Sequence, residues 1–344
     1  MSVGNPSQDR CSHLDARVKQ GLIDPHGRRI DYVRLSVTDR CDLRCFYCLP
    51  KVFRDFQEPA HWLSFAEIER VIAAFGALGT HRVRLTGGEP LVRKNLPELA
   101  QRLAALPGID DLSLSTNATR LDKHASDLRA AGIMRVNISL DSLDPERFRR
   151  ITGGRLEKVL KGIRAAIAAG FAPIKINMVV MRGINDDEVD AMVEFCIEHA
   201  LTLRFIETMP VGEPGRRAGE HFISLGEIRQ RLSRRFELLP GVMPGGGPAR
   251  YVQVAGTNLR VGFITPMSQH FCATCNRVRL TADGVLHMCL GQEHKYALRP
   301  LLRAGIDQDE LTQHIRQAIA LKPERHHFTE NPEHVVRFMS MTGG

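Results

Sequence analysis

Three cysteines crowd into the eight residues Cys41-Asp42-Leu43-Arg44-Cys45-Phe46-Tyr47-Cys48. No other stretch constrains the chain so strongly. Clustered cysteines in a reducing compartment read as metal ligands. They follow the apolar run Tyr32-Val33-Arg34-Leu35-Ser36-Val37, so they fall in a loop at the end of a strand. Thiolates are soft ligands, suited to zinc or to the iron of iron–sulfur clusters. A closed structural zinc site takes four ligands, and the local set stops at three. The nearest downstream histidine, His61, lies beyond Pro50 and Pro59, at no usual finger spacing. Three cysteines on a four-iron cluster would leave one iron open to a substrate. A zinc knuckle that borrows a distant fourth ligand is the competing reading.

A second set repeats the pattern. Cys272-Ala273-Thr274-Cys275 is followed by Cys289 fourteen residues later, again with no obvious fourth ligand. His270 and His287 are the nearby competitors of zinc type. Beside the first motif, a second open cluster is the better reading. Of the eight cysteines, Cys11 in a polar tail and Cys196 on an apolar helix face read as bystanders. The N-terminal stretch carries Asp9, Arg10, His13, Asp15 and Arg17 without an apolar run, so it is no secretory signal. No segment approaches the ~20 apolar residues of a membrane span. Reduced cysteines then place the chain in the cytoplasm. Net charge is +8 with a pI near 9.2, which suggests an anionic partner, nucleic acid or a polyphosphate.

Residues 1–26 read as a polar tail. From 27 to 211, β-branched runs alternate with helical patterns. The strands expected are Val33–Val37, Arg82–Leu85, Asp111–Ser115, Arg135–Ser139, Lys175–Val180 and Leu203–Glu207. Helical patterns fall near Ser64–Leu78, Leu96–Leu106, Leu121–Ala131, Leu156–Ala169 and Asp187–His199. Ser64 and Glu67 have capping-box spacing, and Asp186-Asp187 can cap the last of these helices. Strands alternating with helices predict a parallel sheet with right-handed crossovers. Six units fall short of the eight of a closed barrel. The fold class is therefore α/β, an open, partial barrel of six βα units. Chemistry in such folds gathers at the carboxyl ends of the strands. The Cys loop, Thr86–Pro90, Ser115–Asn117, Ser139–Asp141 and Glu207–Met209 all fall there. Residues 212–344 read as a smaller C-terminal module that carries the second cysteine set. It holds two hairpins, Tyr251–Val254 with Leu259–Ile264, and Arg277–Leu280 with Val285–Cys289.

Arg34, Arg84, Lys175, Arg277 and Arg279 are cations on strands or beside the second cysteine pair. Arg34 and Arg84 alternate with apolar residues, so each points off one sheet face. Inside a barrel, buried cations need an anion, and guanidinium forks match phosphate oxygens. Gly-x4-Gly-Lys-Ser/Thr is absent, so a nucleotide would be held by side chains and not by a P-loop. Thr86-Gly87-Gly88-Glu89-Pro90 ends a strand; its glycines let backbone approach a ligand, and Glu89 could pair with an ammonium.

The spacing Cys41-x3-Cys45-x2-Cys48, with Tyr47 before the last cysteine, resembles the signature of the radical S-adenosylmethionine (SAM) superfamily. Arg34–Cys41, Thr86–Leu91 and Asn137-Ile138-Ser139-Leu140-Asp141 resemble one branch of it, the GTP 3′,8-cyclase or molybdenum cofactor biosynthesis protein A family. The likeness runs from about Gly27 to Gly344. It implies two [4Fe-4S] clusters, on Cys41, Cys45 and Cys48 and on Cys272, Cys275 and Cys289. It implies SAM at Tyr47, Gly88, Ser139 and Met209, and GTP at Arg34, Arg84, Ser115, Lys175 and Arg277-Val278-Arg279. Arg277, Arg279 and a C-terminal Gly343-Gly344 tail reaching the site would serve catalysis. The implied activity is a lyase of molybdenum cofactor biosynthesis, making 3′,8-cyclo-7,8-dihydroguanosine triphosphate. The implied partners are a reductant protein and a downstream cyclic pyranopterin monophosphate synthase, with no membrane or nucleic acid, the chain being a homodimer or a monomer. One position departs from the pattern: Ala118 follows Thr116-Asn117 where the family usually has Gly. Two other readings stay open, a peptide-modifying radical SAM enzyme with an auxiliary cluster and a zinc-stapled nucleic-acid-binding protein. The latter lacks aromatic platforms, with one Trp and four Tyr. The peptide reading does not account for the convergent cations.

Overall fold

The computed structural model describes residues 21–56 and 58–343. Cys11, most of the expected polar tail and Gly344 lie outside the described residues. All six expected strands form: β1 (Tyr32–Ser36), β2 (Arg82–Thr86), β3 (Asp111–Thr116), β4 (Arg135–Ser139), β5 (Ile174–Val179) and β6 (Thr202–Ile206). They pair in parallel in that order. Every residue of β1 is buried, as a strand covered on both faces requires. Crossover helices pack outside the sheet. The first, Phe65–Ala77, starts in a capping box between Ser64 and Glu67, as its spacing predicts. Asp186 and Asp187 do not cap the helix Val189–Glu198; they form a 3-10 turn ahead of it, and Asp186 accepts from the Gly183 N–H instead. A helix at Pro145–Thr152 was not expected. Its start is capped by Asp144 and its end by Gly153 at a positive φ, and it packs Phe148 beneath the Cys loop.

The C-terminal part is less separate than its sequence suggests. β7 (Leu238–Gly241), β8 (Arg250–Val254) and β9 (Arg260–Ile264) form an antiparallel set whose last strand runs parallel to β6. β10 (Arg277–Leu280) runs parallel to β1, followed by antiparallel β11 (Val285–His287) and β12 (Lys295–Ala297). One sheet of twelve strands results, in the order β12-β11-β10-β1-β2-β3-β4-β5-β6-β9-β8-β7. It is open, with β12 and β7 at its edges. The module thus covers both exposed edges of the six-strand core, which would otherwise offer unpaired backbone. Glu207, fully buried, ties the two parts together. It accepts from the backbone of Leu225, Met267 and Ser268 and from the Ser268 hydroxyl. Leu22 is also part of the core, with its N–H bonded to the Leu78 carbonyl. No helix among the described residues is long and apolar enough to cross a membrane.

Register decides what faces inward. Arg279 pairs with Arg34, and Arg34 with Arg84, so three guanidinium-bearing residues stand side by side across β10, β1 and β2. One step nearer the amino ends, Arg277, Tyr32 and Arg82 form a second row. Val33, Val83 and Val278 alternate with these rows and join the hydrophobic core under the helices.

Candidate active site

The Cys loop follows β1 and therefore lies at the carboxyl mouth of the barrel. Cys41, Cys45 and Cys48 line one cavity with Tyr47, Gly88 and Ser139. Burial pushes all three thiols up, Cys48 to about 12; Cys41 is raised further by the charge of Cys48, and Cys45 by those of Cys48 and Cys41. Acidic groups add to this: Glu89 acts on Cys41, and Asp141 on Cys45 and Cys48. Asp141 accepts from the Tyr47 hydroxyl at 2.6 Å and from the Val179 N–H at 2.9 Å, which fixes the ring beside the triad. Glu89 is not free to hold an ammonium. Its carboxylate already accepts from Leu91 N–H, the Thr116 hydroxyl and Asn117 N–H, pinning the end of β2 to the end of β3. Gly88 packs so closely that a Cβ there would lie 2.3 Å from the Arg40 carbonyl oxygen, so a side chain is excluded.

The second triad lies at the opposite mouth. Cys275 immediately precedes β10, which runs parallel to β1, and Cys289 follows β11, which returns antiparallel. Both ends of that hairpin are at the amino side of the barrel. The segments expected at the carboxyl ends do line the first cavity with the Cys loop, whereas the second triad lies apart from them at the amino side. Cys272, Cys275 and Cys289 line a second cavity. Of the six cysteines in the two triads, Cys275 alone is lowered: burial raises it, but Lys322, Arg277 and Arg28 outweigh that. The competing histidines divide. His287 is buried on β11 opposite Arg279, whereas ligand atoms of His270, Cys272 and His326 lie within 4.8 Å of one another. That nitrogen-rich trio does not include Cys275 or Cys289.

Between the two mouths run the cations. The two cavities share Ser115, Asn177, Ile206, Met209 and Met339 as a common wall. Arg34, Arg84, Arg277 and Arg279 line the second cavity, and a third, at its amino end, is lined by Arg82, Arg84, Arg135, Lys175 and Arg204. Burial and mutual repulsion lower Arg34 strongly, Arg279 to about 10 and Lys175 to about 7. Arg34 Nε and Nη2 and Arg277 Nε are buried with no hydrogen-bond partner. Like charges in adjacent register positions destabilise a sheet, and an unpaired buried cation costs several kcal/mol. Such a cluster fits a polyanion, which would supply the missing acceptors.

Most of the sequence-predicted residues converge here. Tyr47, Gly88 and Ser139 face the first cavity, Met209 and Ser115 the shared wall, and Arg34, Arg84, Lys175, Arg277 and Arg279 the cationic part. Val278 does not join them. Its side chain packs in the core, so only its backbone is available. Gly343 is in place: its carbonyl accepts from Arg279 Nη1 at 2.6 Å, and a Cβ on it would strike Thr86. The same tail sets Ser340 N–H against the Cys48 sulfur. Sequence reasoning missed Arg204, which donates to Asn177 and Asn137 from the cavity wall. The run Thr202-Leu203-Arg204-Phe205-Ile206 carries the alternation that marked Arg34 and Arg84, so the signal was there. Lys322 carried no such mark.

Residues 35–196 match the model of the radical SAM superfamily and residues 201–328 that of Molybdenum Cofactor Synthesis C. The chain is 52% identical over 327 residues to the GTP 3′,8-cyclase of Ectopseudomonas mendocina, covering 94% of this chain and 98% of that one. The chain belongs to the GTP 3′,8-cyclase family. GTP 3′,8-cyclase 1 of Pseudomonas aeruginosa is likewise 52% identical, over 94% of this chain and 99% of its own. Among solved structures, Streptococcus suis SuiB bound to S-adenosylmethionine shares the fold, with a TM-score of 0.56 and 17% identity over 94% of this chain and 79% of that one. Radical SAM membership brings a [4Fe-4S] cluster and SAM, and the GTP 3′,8-cyclase family adds a second cluster in the C-terminal region. The residues fit these groups. Each triad offers three thiols into a cavity, leaving one iron of a four-iron cluster without a protein ligand.

Proposed function

We propose that this protein is a radical SAM lyase that converts GTP to (8S)-3′,8-cyclo-7,8-dihydroguanosine 5′-triphosphate, the first step of molybdenum cofactor biosynthesis. The observation that carries this reading is the pair of arginine rows lying between two cysteine triads at opposite mouths of one barrel. Cys41, Cys45 and Cys48 would hold a cluster that, with SAM bound, would supply the radical chemistry joining C3′ of the ribose to C8 of the guanine.

The chain's own residues do the positioning. Arg34, Arg84, Arg204, Arg277, Arg279 and Lys175 neutralise the triphosphate at the amino side. Its bulk then fixes the sugar near the wall of Ser115, Asn177 and Met209, where the two cavities meet. Tyr47, held by Asp141, and Gly88, Ser139 and Met209 shape the SAM side. The tail through Gly343 reaches from Cys48 to Arg279, so it touches both halves and would help to close the junction against water. Excluding water and oxygen is the protein's share of radical chemistry. The triad of Cys272, Cys275 and Cys289 would hold the second cluster against the purine. In the cell, a reductant protein would feed the first triad and a cyclic pyranopterin monophosphate synthase would take the product, both in the cytoplasm.

The test is product analysis. Anaerobically reconstituted, reduced protein given SAM and GTP should yield 5′-deoxyadenosine and the cyclised triphosphate. Deoxyadenosine without any GTP-derived product, and cyclisation absent with every reductant tried, would overturn the reading.

A further inference from the structure

The two triads differ in how their cysteines are held. Each cysteine of the second triad is gripped by its own buried cation. Arg28 donates to the Cys272 carbonyl at 2.9 Å, Arg337 to the Cys289 carbonyl at 3.0 Å, and Lys322 to the Cys275 sulfur at 3.7 Å. Arg28 and Arg337 have carboxylate partners, Asp24 and Glu293. Lys322 has no ion-pair partner among the described residues, although its residue is only 3% exposed. Its other two donors reach the carbonyls of Arg277 at 3.0 Å and Met288 at 2.7 Å. An ammonium has three N–H groups, and here all three are directed. Those carbonyls sit at the base of the β10–β11 hairpin, beside the two cysteines the hairpin carries.

A buried cation without a carboxylate needs some other anion. The sulfurs are the anions on offer, and the charge of Lys322 acts on all three. We propose that Lys322 is a positioning residue for the second triad. Its ammonium holds Cys275 in place as a ligand and gives the iron–sulfur group bound there a fixed positive neighbour. This rests on the reading that the triad carries a cluster. Hydrogen bonds to sulfur and local charge are main determinants of cluster potential. Lys322 therefore favours the reduced form of the second cluster, whereas among the described residues the one cation bonded to a cysteine of the first triad, Arg44, reaches the Cys41 carbonyl and not a sulfur.

The test uses the full chain with Cys41, Cys45 and Cys48 replaced by Ser, so that only the second cluster is present. Iron content and the oxidised-to-reduced ratio at fixed applied potentials are measured with Lys322 intact and in Lys322→Met, Lys322→Gln and Lys322→Arg. Lys322→Met should shift the ratio about tenfold toward oxidised, equal to about 59 mV for one electron. Lys322→Arg should stay near the parent. If Lys322→Met cannot retain iron, Lys322→Gln keeps a neutral donor: a shift toward oxidised there, absent in Lys322→Arg, supports the charge role. An unshifted ratio in Lys322→Gln or Lys322→Met, or iron loss in Lys322→Arg as well, would overturn it. Absence of iron in the parent would overturn the cluster reading and this proposal together, whereas iron in the parent with unshifted variants overturns this proposal alone.

Discussion

Two triads of identical ligands sit in opposite electrostatic surroundings. The charges that act on the sulfurs of Cys41 and Cys45 from outside the triad are those of carboxylates, Glu89, Asp141 and Asp42, while Arg44 reaches only the Cys41 carbonyl. Around Cys272, Cys275 and Cys289 they are those of cations: Lys322, Arg28 and Arg277. Burial raises the thiols in both, yet Cys275 alone ends below its ordinary value. On the proposed reading the split would match the two ligands: SAM carries a sulfonium and an ammonium, while GTP is a polyanion. Cysteine spacing says that metal binds at both ends, and only the surroundings say what the metal faces.

The largest expected effect breaks the comparison outright. Cys41→Ser, Cys45→Ser or Cys48→Ser should abolish 5′-deoxyadenosine formation. Cys272→Ser or Cys289→Ser should leave part of it while cyclisation is lost. Chromatography of both products decides this, and equal loss in both sets would make the second triad a structural support only.

Next come the arginine rows. Removing one charge-assisted contact costs about 1.5–3 kcal/mol, or roughly ten- to a hundredfold in affinity. Arg279→Ala should weaken GTP binding by that order, keep both clusters, and release more deoxyadenosine per cyclised product, because a misplaced substrate leaves the radical unused. If the arginine only anchors the C-terminal tail, iron content or melting temperature will fall and GTP affinity will not.

A smaller effect sharpens the comparison through pH. Lys175 is lowered to about 7, first by burial and then by Arg204, Arg135 and Arg84. Its folded value lies below its unfolded one, so between pH 7 and about 10.4 the unfolded chain holds a proton that the folded chain lacks. Stability of the GTP-free protein should therefore rise with pH across that window, the penalty being full below pH 7. GTP reverses the preference by favouring the ammonium. Binding at pH 8 should take up close to one proton, and affinity should fall as pH rises above 7. Calorimetry in two buffers of different ionisation enthalpy measures the uptake. Lys175→Met should remove it, and zero uptake in the unsubstituted protein would contradict the assignment.

The smallest effect concerns Ala118, which is buried at φ 60. Its methyl fits because Gly162 faces it; the place a Cβ on Gly162 would occupy is 3.0 Å from the Ala118 Cβ. Left-handed strain of about 1–2 kcal/mol is largely offset by the entropy glycine would lose. Ala118→Gly should shift stability by less than about 1 kcal/mol and leave product yield unchanged. Gly162→Ala, which closes the space, should cost far more.

Much of this was legible because period and spacing are local. The six core strands, the capping box at Ser64 and both cysteine sets follow from patterns within a few residues. What was not legible depends on pairing between distant segments. Nothing near Arg277 says that β10 will lie parallel to β1, and only that pairing sets Arg279 beside Arg34 and sends the second triad to the amino mouth. Glu89 looked available because its acceptors are filled by groups 27 and 28 residues away, Thr116 and Asn117. Lys322 was silent for the same reason: it follows the last long helix and reaches a cysteine 47 positions earlier.

The most direct test of the charge division measures SAM and GTP affinity on two reconstituted variants with intact iron. Arg34 belongs to the cationic row, and Asp141 holds Tyr47 at the acidic mouth. Arg34→Ala should weaken GTP at least about tenfold and leave SAM within error. Asp141→Asn should weaken SAM and leave GTP unchanged. Parallel losses of both ligands in either variant, with both clusters retained, would contradict the division.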